Sequence, residues 1–174
     1  LVFPDNPEDG AARSALRSVR GRRSAFALFN HLGALKAGGS AQLNPALHRG
    51  AVEARQPGLA VVLSDFLDPD GYEAGIGALL GRGFQVDCVH ILAPEELSPT
   101  TFGDLRLIDA ETGGHQEVTF GRYRLAAYRE TVSRFCQRLR EFCAVRGVNY
   151  FLASSATPLE DLLLRQLRKA EVLG

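Results

Sequence analysis

Methionine is missing from this chain of 174 residues, which opens on leucine. We therefore expect a piece of a longer protein that is incomplete at its N-terminus. Long apolar runs are missing as well, since no stretch approaches the ~18 uncharged apolar residues of a membrane-spanning helix. Residues 1–4 also lack the charged-then-apolar order of a signal peptide. The chain itself is predicted not to insert into a membrane, whereas an anchor in the parent protein stays open.

Cysteine is scarce, with only Cys88, Cys136 and Cys143. An odd number without Cys-x-x-Cys spacing argues against a disulfide framework and favours the reduced cytoplasm. Cys136 and Cys143 are seven residues apart, which places both on one helix face in the core. His90 shares a strand face with Cys88, but no third ligand lies near in sequence. Both are therefore interpreted as packing residues, and a zinc site is not expected.

The formal net charge is zero, but the charges are unevenly distributed. Residues 1–56 carry +4, residues 57–120 carry −9 and residues 121–174 carry +5. The acidic middle third suits a cation better than an anion. The arginine-rich first and last thirds leave nucleic-acid binding as an alternative, although no aromatic residues are interleaved with the basic cluster at residues 13–23. A solvated basic face is the favoured interpretation of that cluster.

The apolar run at residues 59–63, Leu-Ala-Val-Val-Leu, is the strongest structural signal. A run without alternation predicts a strand in the middle of a parallel sheet, covered by helices on both faces. Asp68 and Pro69 follow, and they predict a helix start with Asp68 as the N-cap. Asp65 is then placed at the carboxyl end of a buried strand, where open α/β sheets bind ligands. Capping of the loop is an alternative role for Asp65.

The remaining pattern predicts a single α/β domain over residues 1–174. Helices are expected at residues 24–36, 46–52, 72–80, 122–145 and from 157 onward, with further strands at 84–92 and 148–153. Residues 94–103 are predicted to be a loop. Residues 104–109 and 115–120 flank a Gly-containing turn, which predicts a hairpin at a sheet edge. Ser40 follows two glycines just before a helix, and helix capping alone would explain it.

In this order and spacing, the motifs resemble domain-of-unknown-function family 58. That family is a branch of the von Willebrand factor A-like domains, often encoded beside MoxR-type AAA+ ATPases. The resemblance covers nearly the whole chain and implies a Rossmann-like three-layer sandwich with a mainly parallel central sheet and an inserted edge hairpin. Its carriers are Gly38-Gly39-Ser40-x-x-Leu43, Leu63-Ser64-Asp65-Phe66, Ala93-Pro94-Glu95-Glu96, Ile108-Asp109-Ala-Glu111-Thr112-Gly113, Tyr128, and Ser154-Ser155-Ala-Thr157-Pro158-Leu159.

Domains similar to this usually hold Mg²⁺ in a metal-ion-dependent adhesion site. The resemblance puts Ser40 in place of that site's threonine and Asp65 in place of its later aspartate. The Asp-x-Ser-x-Ser element of the first strand is not in this sequence. A hard cation wants six oxygens, so we expect no bound metal in this chain, although Mg²⁺ in the parent protein stays open. Without that central strand, the sheet is expected to have unpaired strand edges.

The resemblance implies a non-enzymatic interaction domain that acts with a MoxR-type AAA+ ATPase in assembly or maturation of a protein complex. Ser40, Asp65 and Asp68 are the residues expected to meet the partner. An Asp65-dependent phosphotransfer enzyme of the haloacid dehalogenase type is the alternative. That chemistry needs a second carboxylate two residues after the nucleophile, where Leu67 stands. No Walker A loop, serine triad or dinucleotide fingerprint is present.

Overall fold

A computed structural model describes residues 23–34, 42–99, 103–108 and 114–162. The elements are α1 (Arg23–Ala34), α2 (Leu43–Glu53), β1 (Leu59–Ser64), α3 (Glu73–Gly81), β2 (Gln85–Leu92), α4 (Pro94–Leu97), β3 (Gly103–Ile108), β4 (His115–Phe120), α5 (Arg122–Val145), β5 (Asn149–Ser154) and α6 (Leu159–Asp161). The chain divides into a helical unit, with α1 to α3, and a sheet unit, with all five strands and α4 to α6. The predicted mixed α/β class is confirmed. Among the described helices, none has the length and apolar character that crossing a membrane requires.

The sheet unit is built on three parallel strands in the order β1-β2-β5. β2 is therefore the middle strand, and its side chains are buried on both faces. Val86, Cys88 and His90 lie on one face and Asp87 and Val89 on the other, all between 0 and 3% exposed. This environment, covered on both sides, is the one that the sequence assigned to β1.

Among the described strands, β1 lies at an edge of the three-stranded sheet, so its predicted central position stays a prediction. Leu59, Val61 and Leu63 are 56, 50 and 65% exposed, while Val62 on the opposite face is buried. No strand within the described ranges pairs with the outer edge of β1.

α5 packs against β5 and supplies one wall of the sheet unit's core. The predicted inward seam is confirmed, and both cysteines of this helix are in the core. The helix ends at Val145, and Gly147, just past the C-cap, has a φ of 68°, a left-handed conformation that glycine adopts without strain. The buried residues of the seam are Leu125, Cys136, Leu139 and Cys143, and the half-buried ones are Tyr128, Val132, Phe135 and Phe142.

The predicted hairpin is confirmed, but its place in the sheet was wrong. β3 and β4 are antiparallel, with Gly103 opposite Phe120 and Ile108 opposite His115. Among the strands that the structure describes, they form a separate two-stranded sheet and do not pair with the three-stranded one. Two other boundaries also differ from expectation. The helix expected at Asp68 begins at Glu73 as α3, and the segment expected to be a loop contains α4.

In the helical unit, α2 packs closely against α3 at Gly75. A Cβ on Gly75 would lie 2.9 Å from Cβ of Leu47 and 3.1 Å from Cα of Asn44. Asn44 also accepts a hydrogen bond from the Gly75 N–H at 2.7 Å and donates to the Asp70 carbonyl at 2.7 Å. Only a residue without a side chain permits this approach of two helix backbones.

Gly75→Ala is expected to lower the free energy of unfolding by about 1–3 kcal/mol, because the new methyl group overpacks the α2–α3 contact. Gly77→Ala, two residues along the same helix, is the matched control. Gly77 is exposed with no atom within 4 Å of an added Cβ, so alanine should raise stability by about 0.5–1 kcal/mol. Urea unfolding of both variants measures these changes. An equal change in the free energy of unfolding in Gly75→Ala and Gly77→Ala would contradict the close packing at Gly75.

Candidate functional site

Asp65 lies immediately after β1 and is exposed at the carboxyl end of the parallel sheet. The two residues on either side fix its position. The Ser64 side-chain oxygen accepts a hydrogen bond from the Phe66 N–H at 3.0 Å, which closes a tight turn around Asp65. The predicted location of Asp65 at the carboxyl end of a strand is therefore confirmed, although that strand is an edge strand.

Phe66 adopts an unusual backbone conformation in this turn. Its φ is 56°, in the left-handed region that bulky residues avoid, and it is the one described non-glycine residue with positive φ. Such a conformation costs about 1–3 kcal/mol and persists only when surrounding contacts enforce it. The Phe66 ring is buried, and it meets the His90 ring edge-on at 5.6 Å with an angle of 88° between the planes. This contact supplies stabilisation that offsets the backbone strain.

His90 is fully buried beneath the turn and has neighbours from two other elements. Its Nδ1 is hydrogen-bonded to the Tyr150 hydroxyl at 2.8 Å, and its ring meets Phe135 of α5 edge-on at 5.6 Å. No described residue meets the geometry of a hydrogen bond to Nε2, but the backbone of Asp65 lies close enough to favour the protonated ring. His90 is thus a packing residue, as predicted, and it also connects β5, α5 and the Asp65 turn.

Burial controls the protonation of this cluster. It lowers the pKa of His90, while the Asp65 backbone and then the Asp65 carboxylate oppose that change. Burial likewise raises the pKa of Tyr150 above its usual range. Both groups are therefore held neutral around pH 7. A neutral imidazole and a neutral phenol can share a hydrogen bond inside the protein without a buried charge.

The three cysteines are buried in the core, and Cys88 and Cys136 have the chemistry of packing residues. The thiols of Cys88 and Cys143 are hydrogen-bonded to each other, and this bond and burial together raise the pKa of Cys88. Burial also raises the pKa of Cys136. Since the thiolate is the reactive form, buried thiols such as Cys88 and Cys136 are poor nucleophiles.

Asp68 has a defined structural role in the helical unit. One carboxylate oxygen accepts the Leu43 N–H at 2.6 Å and the other accepts the Asp70 N–H at 2.8 Å. Leu43 is the first residue of α2, so Asp68 caps that helix and not the one that follows it in sequence. The predicted partner-binding role of Asp68 stays a prediction, and any partner would have to compete with these two bonds.

The opposite end of α2 is held by a residue of opposite charge. The Arg82 guanidinium donates from Nε to the Ala51 carbonyl and from Nη2 to the Ala54 carbonyl, both at 3.0 Å. A carboxylate at the N-terminus and a guanidinium at the C-terminus of α2 both match the helix dipole. Sequence reasoning missed both contacts, because their partners lie 25 to 31 residues apart.

Ser40, the other predicted site residue, lies outside the described residues, so its predicted proximity to Asp65 stays a prediction. Within residues 23–34, 42–99, 103–108 and 114–162, no group of three metal-ligating side chains is assembled. The oxygens of Ser64 and Asp68 already accept backbone N–H groups. The described residues alone therefore do not make up the oxygen set that Mg²⁺ requires.

Comparison with known proteins assigns the chain to a family. It belongs to the family described as a protein of unknown function, DUF58, which it matches over residues 9–139. A curated relative, the uncharacterized protein MAV169 of Mycobacterium avium, is 38% identical over 65 residues. The matched region covers 37% of this chain and 38% of that protein, well under two thirds of its length. No solved structure matches the chain.

Asp68→Ala should destabilise the chain by about 0.5–2 kcal/mol, because it removes the cap of α2 and leaves the Leu43 N–H without this acceptor. Asp70→Ala is the control, since Asp70 is exposed and its contact with Asn44 uses the backbone carbonyl. That variant is expected to stay within about 0.5 kcal/mol of the wild type. Thermal or urea unfolding measures both, and equal stability of the two variants would refute the cap.

His90 should make the stability of the chain depend on pH. The pKa of His90 in the folded chain is lowered from its ordinary value of 6.5, so below this value the unfolded chain takes up a proton that the folded chain does not. The stability from a neutral His90 is therefore fully present above pH 6.5. It is lost as the pH falls below 6.5 towards the lowered pKa, at no more than about 1.4 kcal/mol per pH unit.

Urea unfolding at pH 7.5 and 5.5 measures this effect in the wild type and in His90→Gln, which carries no titrating group. The decrease in stability towards pH 5.5 should be smaller in His90→Gln than in the wild type. His115→Gln, at an exposed position of β4, serves as the control and should keep the wild-type decrease. An identical decrease in all three proteins would mean that His90 is not held neutral.

Proposed function

We propose that this chain is a von Willebrand factor A-like, non-enzymatic interaction domain that acts in the cytoplasm with a MoxR-type AAA+ ATPase. The pair would assist assembly or maturation of another protein complex. Asp65, at the carboxyl end of β1, is the residue proposed to contact the partner, together with Ser40 and Asp68. Nucleic acid and membrane lipid are not proposed as partners.

The geometry of Asp65 is the observation that carries the proposal. An exposed carboxylate follows a strand end and sits between Ser64, which closes the turn, and Phe66, which is buried in a strained conformation. Strain of this kind is concentrated at functional positions, where it fixes a side chain in advance of binding. A residue needed only for solubility would not require such a turn.

Family membership and charge support the same proposal from independent directions. The chain matches its family over residues 9–139, a range that includes Asp65. The resemblance drawn from its motifs implies a MoxR-type ATPase as the partner. The acidic middle third, −9 over residues 57–120, also favours a partner surface with basic groups. Charge complementarity of this kind accelerates association and excludes acidic competitors.

The metal-ion-dependent adhesion site of such domains is only partly represented. Asp65 and Ser40 are the residues proposed to take part in it. Direct contact between the Asp65 carboxylate and a basic or polar group of the ATPase is the simpler arrangement.

Asp65→Asn should weaken binding to the neighbouring ATPase by at least about tenfold, because it removes the charge of the side chain. The shape of the side chain is preserved, so the change in affinity reports the charge alone. Charged contacts that are desolvated at an interface contribute several kcal/mol, so tenfold, or about 1.4 kcal/mol, is a modest expectation. Biolayer interferometry between the purified chain and the ATPase measures the dissociation constant. Glu117→Gln is the control, since Glu117 is an exposed carboxylate on β4 of the same unit.

Two outcomes would count against the proposal. If the wild-type chain does not associate with the ATPase, the proposed partner is wrong. If Asp65→Asn and Glu117→Gln bind the ATPase with equal affinity, the proposed role of Asp65 is wrong. Phosphatase turnover of a small phosphate ester, lost in Asp65→Asn, would instead support the alternative of an Asp65-dependent phosphotransfer enzyme. The same two variants therefore separate an interaction domain from that enzyme.

A further inference from the structure

The Asp65 turn is held in place by the residues beneath it and not by its own sequence. Phe66 cannot keep a φ of 56° without support, and Ser64 supplies one hydrogen bond to it. The larger support is the Phe66 ring, which is 1% exposed and rests edge-on against the ring of His90. The turn is therefore as well fixed as His90.

His90 is itself held from two directions within the sheet unit. The Tyr150 hydroxyl on β5 binds Nδ1 at 2.8 Å, and Phe135 of α5 contacts the other side of the ring at a centroid distance of 5.6 Å. The side chain is 0% exposed, so solvent cannot replace either neighbour. The Asp65 backbone also lies close enough to the imidazole to raise its pKa against the effect of burial.

From this arrangement we infer that His90 is a positioning residue for Asp65. It holds the ring of Phe66, and through Phe66 it fixes the backbone that presents the Asp65 carboxylate at the carboxyl end of β1. The importance of that carboxylate rests on the proposed function, whereas the support of the turn by His90 can be measured without any partner. An ordinary core histidine would contribute to stability alone.

Amide hydrogen exchange of Phe66, followed by NMR in the full chain, tests the inference. The Phe66 N–H is protected by its bond to Ser64, so a loosened turn exposes it locally while the core stays closed. His90→Gln should reduce the protection of Phe66 by about tenfold more than that of the Val62 and Val89 amides. Val86→Ala, at an equally buried position on the same strand face, should reduce all three in proportion to the loss of global stability.

A conservative double variant distinguishes ring support from polar bonding. His90→Phe combined with Tyr150→Phe replaces the hydrogen-bonded pair by two rings of similar shape, and Phe66 should keep its protection within about threefold of the wild type. If His90→Gln does not fold, Tyr150→Phe alone replaces it. Tyr150→Phe removes the hydrogen bond between the Tyr150 hydroxyl and His90 Nδ1. The Phe66 amide should again lose more protection from exchange than the core amides.

Equal loss of protection at Phe66 and in the core, in both His90→Gln and Tyr150→Phe, would overturn the inference. Affinity for the ATPase supplies the functional test, in which His90→Gln should weaken binding and the double variant should restore it. A wild-type chain that binds no ATPase would refute the proposed function, while the exchange data would still decide the role of His90. A wild-type interaction that His90→Gln leaves unchanged would refute the positioning role alone.

Discussion

The edge-to-face contact between Phe66 and His90 is the interaction on which the candidate site depends. It joins a strained, surface-exposed turn to the most buried strand of the sheet, β2, so that Asp65 is displayed from a rigid base. Loops that carry function are usually mobile, and the entropy of ordering them reduces affinity. Here the packing of Phe66 against the buried His90 should restrict the turn and lower that cost. The strain at Phe66 and the burial of His90 are thus two parts of one arrangement, because the Phe66 ring packs against the buried imidazole.

In the helical unit, charged side chains fix the position of a helix, as the aromatic rings fix the Asp65 turn in the sheet unit. Asp68 and Arg82 hold the two ends of α2, and the Gly75 contact fixes the distance between α2 and α3. Each charged group also satisfies backbone groups that a helix end leaves without partners. The first and last residues of the segment from Asp68 to Arg82 therefore bind the two ends of α2. These residues connect β1 to β2 in the chain, so the same connection serves both the sheet and the helix pair.

Sequence patterns predicted the elements well and their environments less well. Helical spacing located α5 and its buried cysteines, and the Ser64-Asp65 break located the end of β1. Burial on both faces was predicted for β1 but is found at β2. The physical reason is that an apolar run is buried only where other elements of the fold cover it. β1 has the apolar run but exposes Leu59, Val61 and Leu63, whereas β2 buries Asp87 and His90 with polar partners that lie about 60 residues away. The cap on α2 was missed for the same reason, since no local pattern identifies an acceptor 25 residues distant.

The polar residues of β2 also explain why this sheet has a single register. On one face Asp87 accepts a hydrogen bond from the Asn149 side chain at 2.8 Å, and on the other His90 is bonded to Tyr150 at the same distance. A slip of β5 by one residue would turn Asn149 and Tyr150 to the wrong faces and leave two buried polar groups unpaired. Apolar side chains alone would tolerate such a slip better. The bond that fixes the register on one face is also the bond that holds His90 under the Asp65 turn, so correct strand pairing and correct presentation of Asp65 are established by the same contact.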